Sequence, residues 1–165
     1  PKSVCGKGYS IYKIGDAKIA VINAMGRADI NVQTENPFLA VKEVIDKIKS
    51  KTQMIFLDFH AEATAEKKAM GYFLDGKVTA VFGTHTHVQT ADEQILEKGT
   101  GYITDIGMTG PKNSVIGMET EIALKRFLTA LPEKYRIATG ESMLNACIFK
   151  VHYDFKVVEI CSLTR

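Results

Sequence analysis

The fold class is set by residues 54–87, which read MIFLDFHAEATAEKKAMGYFLDGKVTAVFGTHTH. The apolar run at residues 54–57 has the length and composition of a buried strand. A helix is predicted over residues 64–74, and the Asp75-Gly76 pair ends it. A second apolar run, residues 78–82, predicts another buried strand. Strand, helix and strand in this order favour two parallel strands in one sheet, which is the pattern of an α/β protein.

Further elements are predicted on both sides of this segment. Upstream, residues 9–14 and 18–24 predict a β-hairpin, and Asn36-Pro37 begins a helix that ends near Lys51. Downstream, we predict a strand over 102–104, a helix over 119–131, and antiparallel strands over 135–139, 144–153 and 156–163. Helices alternate with the central strands and antiparallel strands flank them, so one domain, residues 1–165, with a mixed-sheet α/β architecture is predicted.

Length and composition exclude several classes of protein. The chain has 165 residues, of which 45% are apolar and 24% charged, as in globular domains and unlike disordered chains. Its net charge of +2 gives no electrostatic footprint for duplex nucleic acid. The sequence predicts neither a membrane helix nor a signal peptide. Three widely spaced cysteines, Cys5, Cys147 and Cys161, favour reduced thiols, and we expect a cytoplasmic protein.

Three of the four histidines follow the two predicted central strands. His60 comes after the first apolar run, and His85 and His87 come after the second. The carboxyl ends of parallel strands are where functional sites of α/β sheets collect. Residues two apart in extended backbone point to the same side, so His85 and His87 are predicted to reach one metal or two adjacent metals together with His60. The fourth, His152, lies in a terminal strand and is predicted to be a surface residue.

Two carboxylates and one turn are predicted to support this site. Asp58 and Glu62 flank His60 and are expected to orient an imidazole, although Glu62 is also placed to cap the helix that begins near residue 64. The glycine-rich turn at 107–111 is either a plain loop or a phosphate-binding turn. Its predicted contacts are Gly107, Thr109 and Gly110. No residue is predicted to act as a nucleophile or a general acid.

Three segments resemble motifs of the YmdB-like metallophosphoesterases. They are DFHAEATAEK at 58–67, GTHTHVQTAD at 83–92 and YITDIGMTGP at 102–111, with Ala65 where the family often has Ser. The resemblance implies a calcineurin-like α/β/β/α sandwich that holds two divalent transition metal ions, Fe, Mn or Zn. It implies that His60 and His85 bind one ion and His87 the other. It also implies hydrolysis of phosphodiesters, with 2′,3′-cyclic nucleotides as the substrate class, by a metal-activated hydroxide.

The family pattern also contains segments that this sequence lacks. These are a GDxxG segment with a metal-binding Asp, a bridging carboxylate, and an Asn-His pair that supplies a ligand and the general acid. The resemblance therefore covers the C-terminal part of the family pattern, and we expect the N-terminal part to be missing from this chain. We expect residues 1–165 alone not to be a competent phosphodiesterase. They should pair with that N-terminal portion or form a homo-oligomer through an uncovered sheet face.

Two other functions remain open from the sequence. The first is a non-catalytic metal-binding or assembly module that reuses the fold. The second is a hydrolase with a single metal held by the three histidines alone. Metal content separates them, because two ions per site support the two-metal enzyme, whereas one loosely held ion without turnover supports the module.

Overall fold

A computed structural model describes residues 6–31 and 34–165, and in these ranges it contains ten strands and three helices. The strands are β1 (Tyr9–Ile14), β2 (Ala17–Met25), β3 (Met54–His60), β4 (Ala80–Thr84), β5 (Gln94–Ile95), β6 (Gly101–Ile103), β7 (Gly110–Pro111), β8 (Ser142–Met143), β9 (Asn145–Val151) and β10 (Val157–Thr164). The helices are α1 (Pro37–Ile48), α2 (Thr64–Leu74) and α3 (Thr120–Thr129). No helix in the described ranges has the length and apolar character to cross a bilayer.

The main sheet has six strands in the order β1-β2-β3-β4-β6-β5. Strands β2, β3, β4 and β6 run parallel, whereas β1 and β5 join antiparallel at the two edges. The predicted mixed α/β fold is thus confirmed. Register places Met25 beside His60, and His60 beside Thr84. These three residues end their strands, so the carboxyl ends of β2, β3 and β4 form one edge.

Helices α1 and α2 cover one face of this sheet. The side chain of Asn36 caps α1 by accepting a hydrogen bond from the Phe38 amide at 3.0 Å, as the Asn-Pro pair predicts. The two helices touch through the rings of Phe38 and Phe73, whose centroids are 5.5 Å apart. Gly71 lets α2 approach the sheet, because a Cβ there would lie 2.6 Å from the ring of Tyr102. Together these layers enclose the main core, which includes Val41, Ile48, Ile55, Leu57, Phe59, Met70 and Leu74.

The hairpin of β9 and β10 packs against the opposite face. The ring of Phe149 lies 6.1 Å from the ring of Phe56 and 6.5 Å from that of Phe82, measured between centroids. It also lies over Gly101, where a Cβ would come within 2.8 Å of the Phe149 ring. The layers in the described residues therefore run helices, six-stranded sheet, two-stranded sheet. Helix α3 packs separately, in a small cluster around Met118 and Ile122.

Several details differ from the sequence-based predictions. Strand β3 extends through His60, so this histidine is a strand residue and does not follow the strand in a loop. Residues 135–139 form no strand, because they are mostly exposed and pair only through one bridge between Met118 and Ile137. Helix α3 ends at Thr129, where Ala130 takes a left-handed conformation with φ of 55°. The pairs made by β5, β7 and β8 were not predicted, since two-residue strands carry no periodic pattern.

Candidate functional site

A row of polar side chains lies at the carboxyl ends of the parallel strands. Asp58 alternates with the buried residues Leu57 and Phe59 of β3, so it points to the face opposite the helices. Its two carboxylate oxygens accept hydrogen bonds at 2.8 Å, one from the side-chain amide of Asn23 and one from the hydroxyl of Thr84. The three residues come from neighbouring strands, which fixes the carboxylate across the sheet.

Thr84 connects this carboxylate to His60. Because its hydroxyl donates to Asp58, its oxygen accepts from Nδ1 of His60, which lies 3.1 Å away. This assignment puts the His60 proton on Nδ1 and leaves the lone pair on Nε2. Asp58 is therefore linked to the imidazole through the Thr84 hydroxyl and does not contact the ring directly, and its supporting role stays a prediction.

His60 and His85 are in direct contact. Nε2 of His60 lies 3.0 Å from Nδ1 of His85, and the ring planes are nearly perpendicular at 88°. On its far side, Nε2 of His85 lies 3.0 Å from a carboxylate oxygen of Glu62. Glu62 thus contacts a histidine, and no side chain caps α2.

The backbone from His85 to His87 is bent and is not extended. His85 has φ of 112° and His87 has φ of 68°, conformations that cost non-glycine residues about 1–3 kcal/mol each. The prediction that the side chains of His85 and His87 point to the same side requires extended backbone, which these two residues do not have. Nδ1 of His87 instead lies 2.9 Å from the carbonyl oxygen of Ile116. Of the three predicted metal-binding histidines, His60 and His85 are in direct contact, and within the described residues no three His, Cys, Asp or Glu side chains form a metal-binding group.

A buried ion pair lies behind this bend. Nζ of Lys67 contacts Oδ2 of Asp105 at 2.8 Å, and each side chain is only 1% exposed. Oδ2 also accepts the amide of Thr86 at 3.1 Å, and Oδ1 accepts that of Gly107 at 2.9 Å. Burial raises the pKa of Asp105, but the hydrogen bonds from Lys67, Gly107 and Thr86 outweigh it and hold this pKa below its ordinary value.

This ion pair is not predicted from the sequence. Its one signal is the position of Lys67 on α2, where it shares a buried helical stripe with Met70, Gly71 and Leu74. A lysine on a core-facing stripe indicates a buried acidic partner. Nothing in the sequence identifies that partner as Asp105, which is 38 residues away.

The predicted phosphate-binding turn is only partly open to a ligand. The amide of Gly107 already donates to Asp105, and Gly110 pairs with Met143 between β7 and β8. A Cβ on Gly107 would lie 2.8 Å from the side-chain amide of Asn145, so the turn is tightly packed. Thr109 is exposed. A phosphate contact in this turn stays a prediction, and Thr109 is the residue best placed to make one.

His152, Cys147 and Cys161 lie outside the candidate site. His152 is exposed, as predicted, and its ring lies 3.8 Å from that of Tyr153 between centroids. Cys147 and Cys161 are free thiols, and burial raises the pKa of Cys147 to about 11, which keeps it protonated at neutral pH. Cys5 lies outside the described residues.

This chain is similar in sequence and in fold to known proteins over more than nine tenths of its length. It is 46% identical over 151 residues to a 2′,3′-cyclic-nucleotide 2′-phosphodiesterase from Bacillus subtilis, covering 92% of this chain and 57% of that protein. A structure of a hypothetical protein from Thermus thermophilus superposes with a TM-score of 0.92 at 38% identity, covering 100% of this chain and 64% of that one. A structure of a phosphatase from Mycoplasma pneumoniae superposes with a TM-score of 0.88 at 37% identity, covering 97% of this chain and 57% of that one.

The chain spans less than two thirds of the length of each of these relatives. The sequence model of the family described as YmdB-like protein matches residues 1–163, which is nearly every residue of the chain. The His60–His85 contact joins the motifs at 58–67 and 83–92, and both motifs lie within the matched residues. The chain therefore belongs to the YmdB-like family.

Proposed function

We propose that this chain forms part of a metal-dependent phosphodiesterase site that acts on 2′,3′-cyclic nucleotides. The observation that carries the proposal is the contact between His60 and His85 at the carboxyl ends of parallel strands, with Asp58 orienting His60 through Thr84. The substrate class is inferred from the Bacillus subtilis relative, a 2′,3′-cyclic-nucleotide 2′-phosphodiesterase at 46% identity.

The chemistry of the donor atoms fits a divalent transition metal ion. When two imidazole nitrogens bind one ion at about 2.1 Å each, they lie roughly 3.0 Å apart in octahedral geometry and roughly 3.4 Å apart in tetrahedral geometry. Nε2 of His60 and Nδ1 of His85 are 3.0 Å apart. Metal-binding histidines are commonly oriented through their second nitrogen. That arrangement exists at His60 through Thr84, and at His87 through the carbonyl of Ile116.

We therefore propose that His60 and His85 hold one ion and that His87 contributes to a second. Zn, Fe and Mn all accept imidazole in sites with mixed oxygen ligands. Such ions polarise a phosphoryl oxygen and supply a hydroxide nucleophile at neutral pH. The residues of this chain orient the imidazoles, and Thr109 is the proposed donor to a substrate phosphate oxygen.

Charge indicates that this chain alone does not complete the site. Two divalent ions carry four positive charges, and neutral imidazoles offset none of them. Glu62 is the one carboxylate that directly contacts either of His60 and His85 among the described residues, and it is half exposed. We propose that further carboxylates come from outside residues 1–165, either from more of the same protein or from a second copy. The share of each relative that this chain spans is consistent with the first source.

The test is hydrolysis of 2′,3′-cyclic AMP with Mn²⁺ or Fe²⁺, measured for residues 1–165 and for the whole gene product that contains them. We expect turnover by the whole product, loss of that turnover in His60→Ala, and none by residues 1–165. His152→Ala is the matched control, because His152 is an exposed histidine outside the site. Turnover that survives chelation of the metal, or that His60→Ala leaves unchanged, would refute the proposal.

A further inference from the structure

We propose that Asp105, held in place by Lys67, is a positioning residue that sets the backbone of the His85–His87 bend. Through that bend it directs the imidazoles of His85 and His87. The inference rests on the proposed function, since it concerns histidines that we assign to the metal site. It gives a role to two buried residues that we do not assign as metal ligands.

The carboxylate of Asp105 joins three parts of the fold. It contacts Nζ of Lys67 on α2 at 2.8 Å, the amide of Thr86 in the bend at 3.1 Å and the amide of Gly107 in the next turn at 2.9 Å. The segment behind the bend is fixed as well, because the amide of Ile106 donates to the carbonyl of Gly83 at 3.0 Å. The bend is therefore held from within the protein.

The amide of Thr86 is the point at which the bend is held. It lies between His85 and His87, whose φ values of 112° and 68° are both unfavourable for residues with a Cβ. Strained backbone persists only where the surroundings fix it. If the hydrogen bond from Thr86 to Asp105 is lost, we expect both histidines to relax toward ordinary φ values. The ring of His85 would then leave its contact with His60.

Stability alone does not account for an ion pair at this place. Replacing a buried ion pair by apolar side chains of similar volume is often neutral or stabilising, whereas removing one partner leaves an unpaired charge and is strongly destabilising. Apolar side chains cannot accept the amides of Thr86 and Gly107. The carboxylate of Asp105 accepts both, and Lys67 supplies the charge that keeps it ionised in the interior.

The experiment compares Lys67→Met, Asp105→Asn and the double variant in the full chain. Each single variant leaves one buried charge unpaired, but the double variant leaves none and should regain most of the lost thermal stability. Thr86 and Gly107 donate to different carboxylate oxygens of Asp105, and asparagine keeps only one oxygen, so one of the two amides loses its acceptor. Lys67 contacts the oxygen that faces Thr86, and without Lys67 nothing holds the asparagine oxygen there. We therefore expect the Thr86 amide of the double variant to exchange faster with solvent. We also expect Zn²⁺ to bind it about 10–100-fold more weakly than the parent chain, in competition with a chromophoric chelator.

Asp92→Asn is the matched control. Asp92 also accepts a backbone amide and threonine hydroxyls in this region, but it does not contact Thr86. We expect the control to keep the parent's Zn²⁺ affinity and Thr86 protection. If the double variant regains Zn²⁺ affinity together with stability while the Thr86 amide stays unprotected, the ion pair is only structural and the inference is wrong.

Failure of the proposed function gives a different result. The proposed function would be refuted if the parent chain binds no Zn²⁺ and the whole gene product hydrolyses no cyclic nucleotide. The inference is then still tested by NMR, through the exchange of the Thr86 amide and the side-chain nitrogen signals of His60 and His85. If the variants leave these signals unchanged, the ion pair does not position the bend.

Discussion

Replacing Thr84 by valine tests the link between Asp58 and His60. Valine has the shape of threonine but lacks the hydroxyl, so the substitution removes two hydrogen bonds without opening a cavity. One of these bonds, 2.8 Å long, goes to a carboxylate, and the other, 3.1 Å long, comes from His60. A hydrogen bond to a charged group contributes about 1.5–3 kcal/mol and one between neutral groups about 1 kcal/mol.

Thr84 is half-buried, so we expect the free energy of unfolding to fall by about 2–3 kcal/mol in total. For a domain of this size, that loss lowers the Tm by about 4–12 °C. The substitution also removes the acceptor that holds the His60 proton on Nδ1. The ring is then free to carry its proton on Nε2, the nitrogen that faces His85. We expect Zn²⁺ affinity to fall by about 10–100-fold as a result.

The assay is competition for Zn²⁺ with a chromophoric chelator, combined with NMR assignment of the His60 tautomer. Thr86→Val is the matched control, since it makes the same change two residues away. In the part of the chain that the structure describes, the hydroxyl of Thr86 hydrogen-bonds only to the backbone of Val88, at 3.3 and 3.4 Å. The hydrogen bond from the Thr86 amide to Asp105 survives the substitution. If both variants bind Zn²⁺ as tightly as the parent and the His60 tautomer is unchanged, the orienting role of Thr84 is wrong.

Three further outcomes are expected. His87→Ala should reduce phosphodiesterase activity of the whole gene product far more than His152→Ala, and equal effects in a steady-state assay would remove the distinction between them. Burial raises the pKa of Asp92, but hydrogen bonds from Thr104 and Thr90 outweigh it and hold this pKa below its ordinary value. The ionised carboxylate therefore stabilises the fold above about pH 4, and this contribution is lost as the pH falls through the native pKa. Asp92→Asn should flatten the pH dependence of urea unfolding in that acid range, and an unchanged slope would contradict the reasoning. Gly83→Ala should prevent folding or lower the Tm severely, because its Cβ would lie 1.7 Å from the backbone carbonyl oxygen of Thr104. In Gly110→Ala the Cβ meets only the side chain of Met108, at 3.6 Å, so the Tm should stay close to that of the parent.

Part of the candidate site follows from sequence because the relevant signals are local. The position of His60 and His85 after apolar runs is enough to place both at one edge of a parallel sheet, and the structure brings them together there. The sequence predicts that Glu62 supports an imidazole but does not identify that imidazole as the one of His85. The direction of the His87 side chain does not follow from the sequence, since an i, i+2 spacing predicts a common direction only where the backbone is extended. The backbone from His85 to His87 is bent.

Local order in the chain determined the sheet and its helices. Residues 54–87 alternate apolar strand, amphipathic helix and apolar strand, and burial of each apolar face leaves few ways to stack these elements. The N-cap Asn36 and the Asp75-Gly76 pair that ends α2 act within a few residues, so the ends of these helices lie close to their predicted places. Such features depend on neighbours along the chain and need no knowledge of the final packing.

Tertiary structure alone decided how the site residues are held. The path from Asp58 through Thr84 to His60 exists because strand register places residues 26 and 24 positions apart side by side. The bend at His85 depends on Asp105, which in turn depends on a lysine 38 residues away. Hydrogen bonds form where distance and angle allow, and those are set by the packing of whole elements. Residue types predict which chemistry a site can carry, whereas the orientation of each imidazole is fixed only when the sheet, α2 and the turn after β6 have come together.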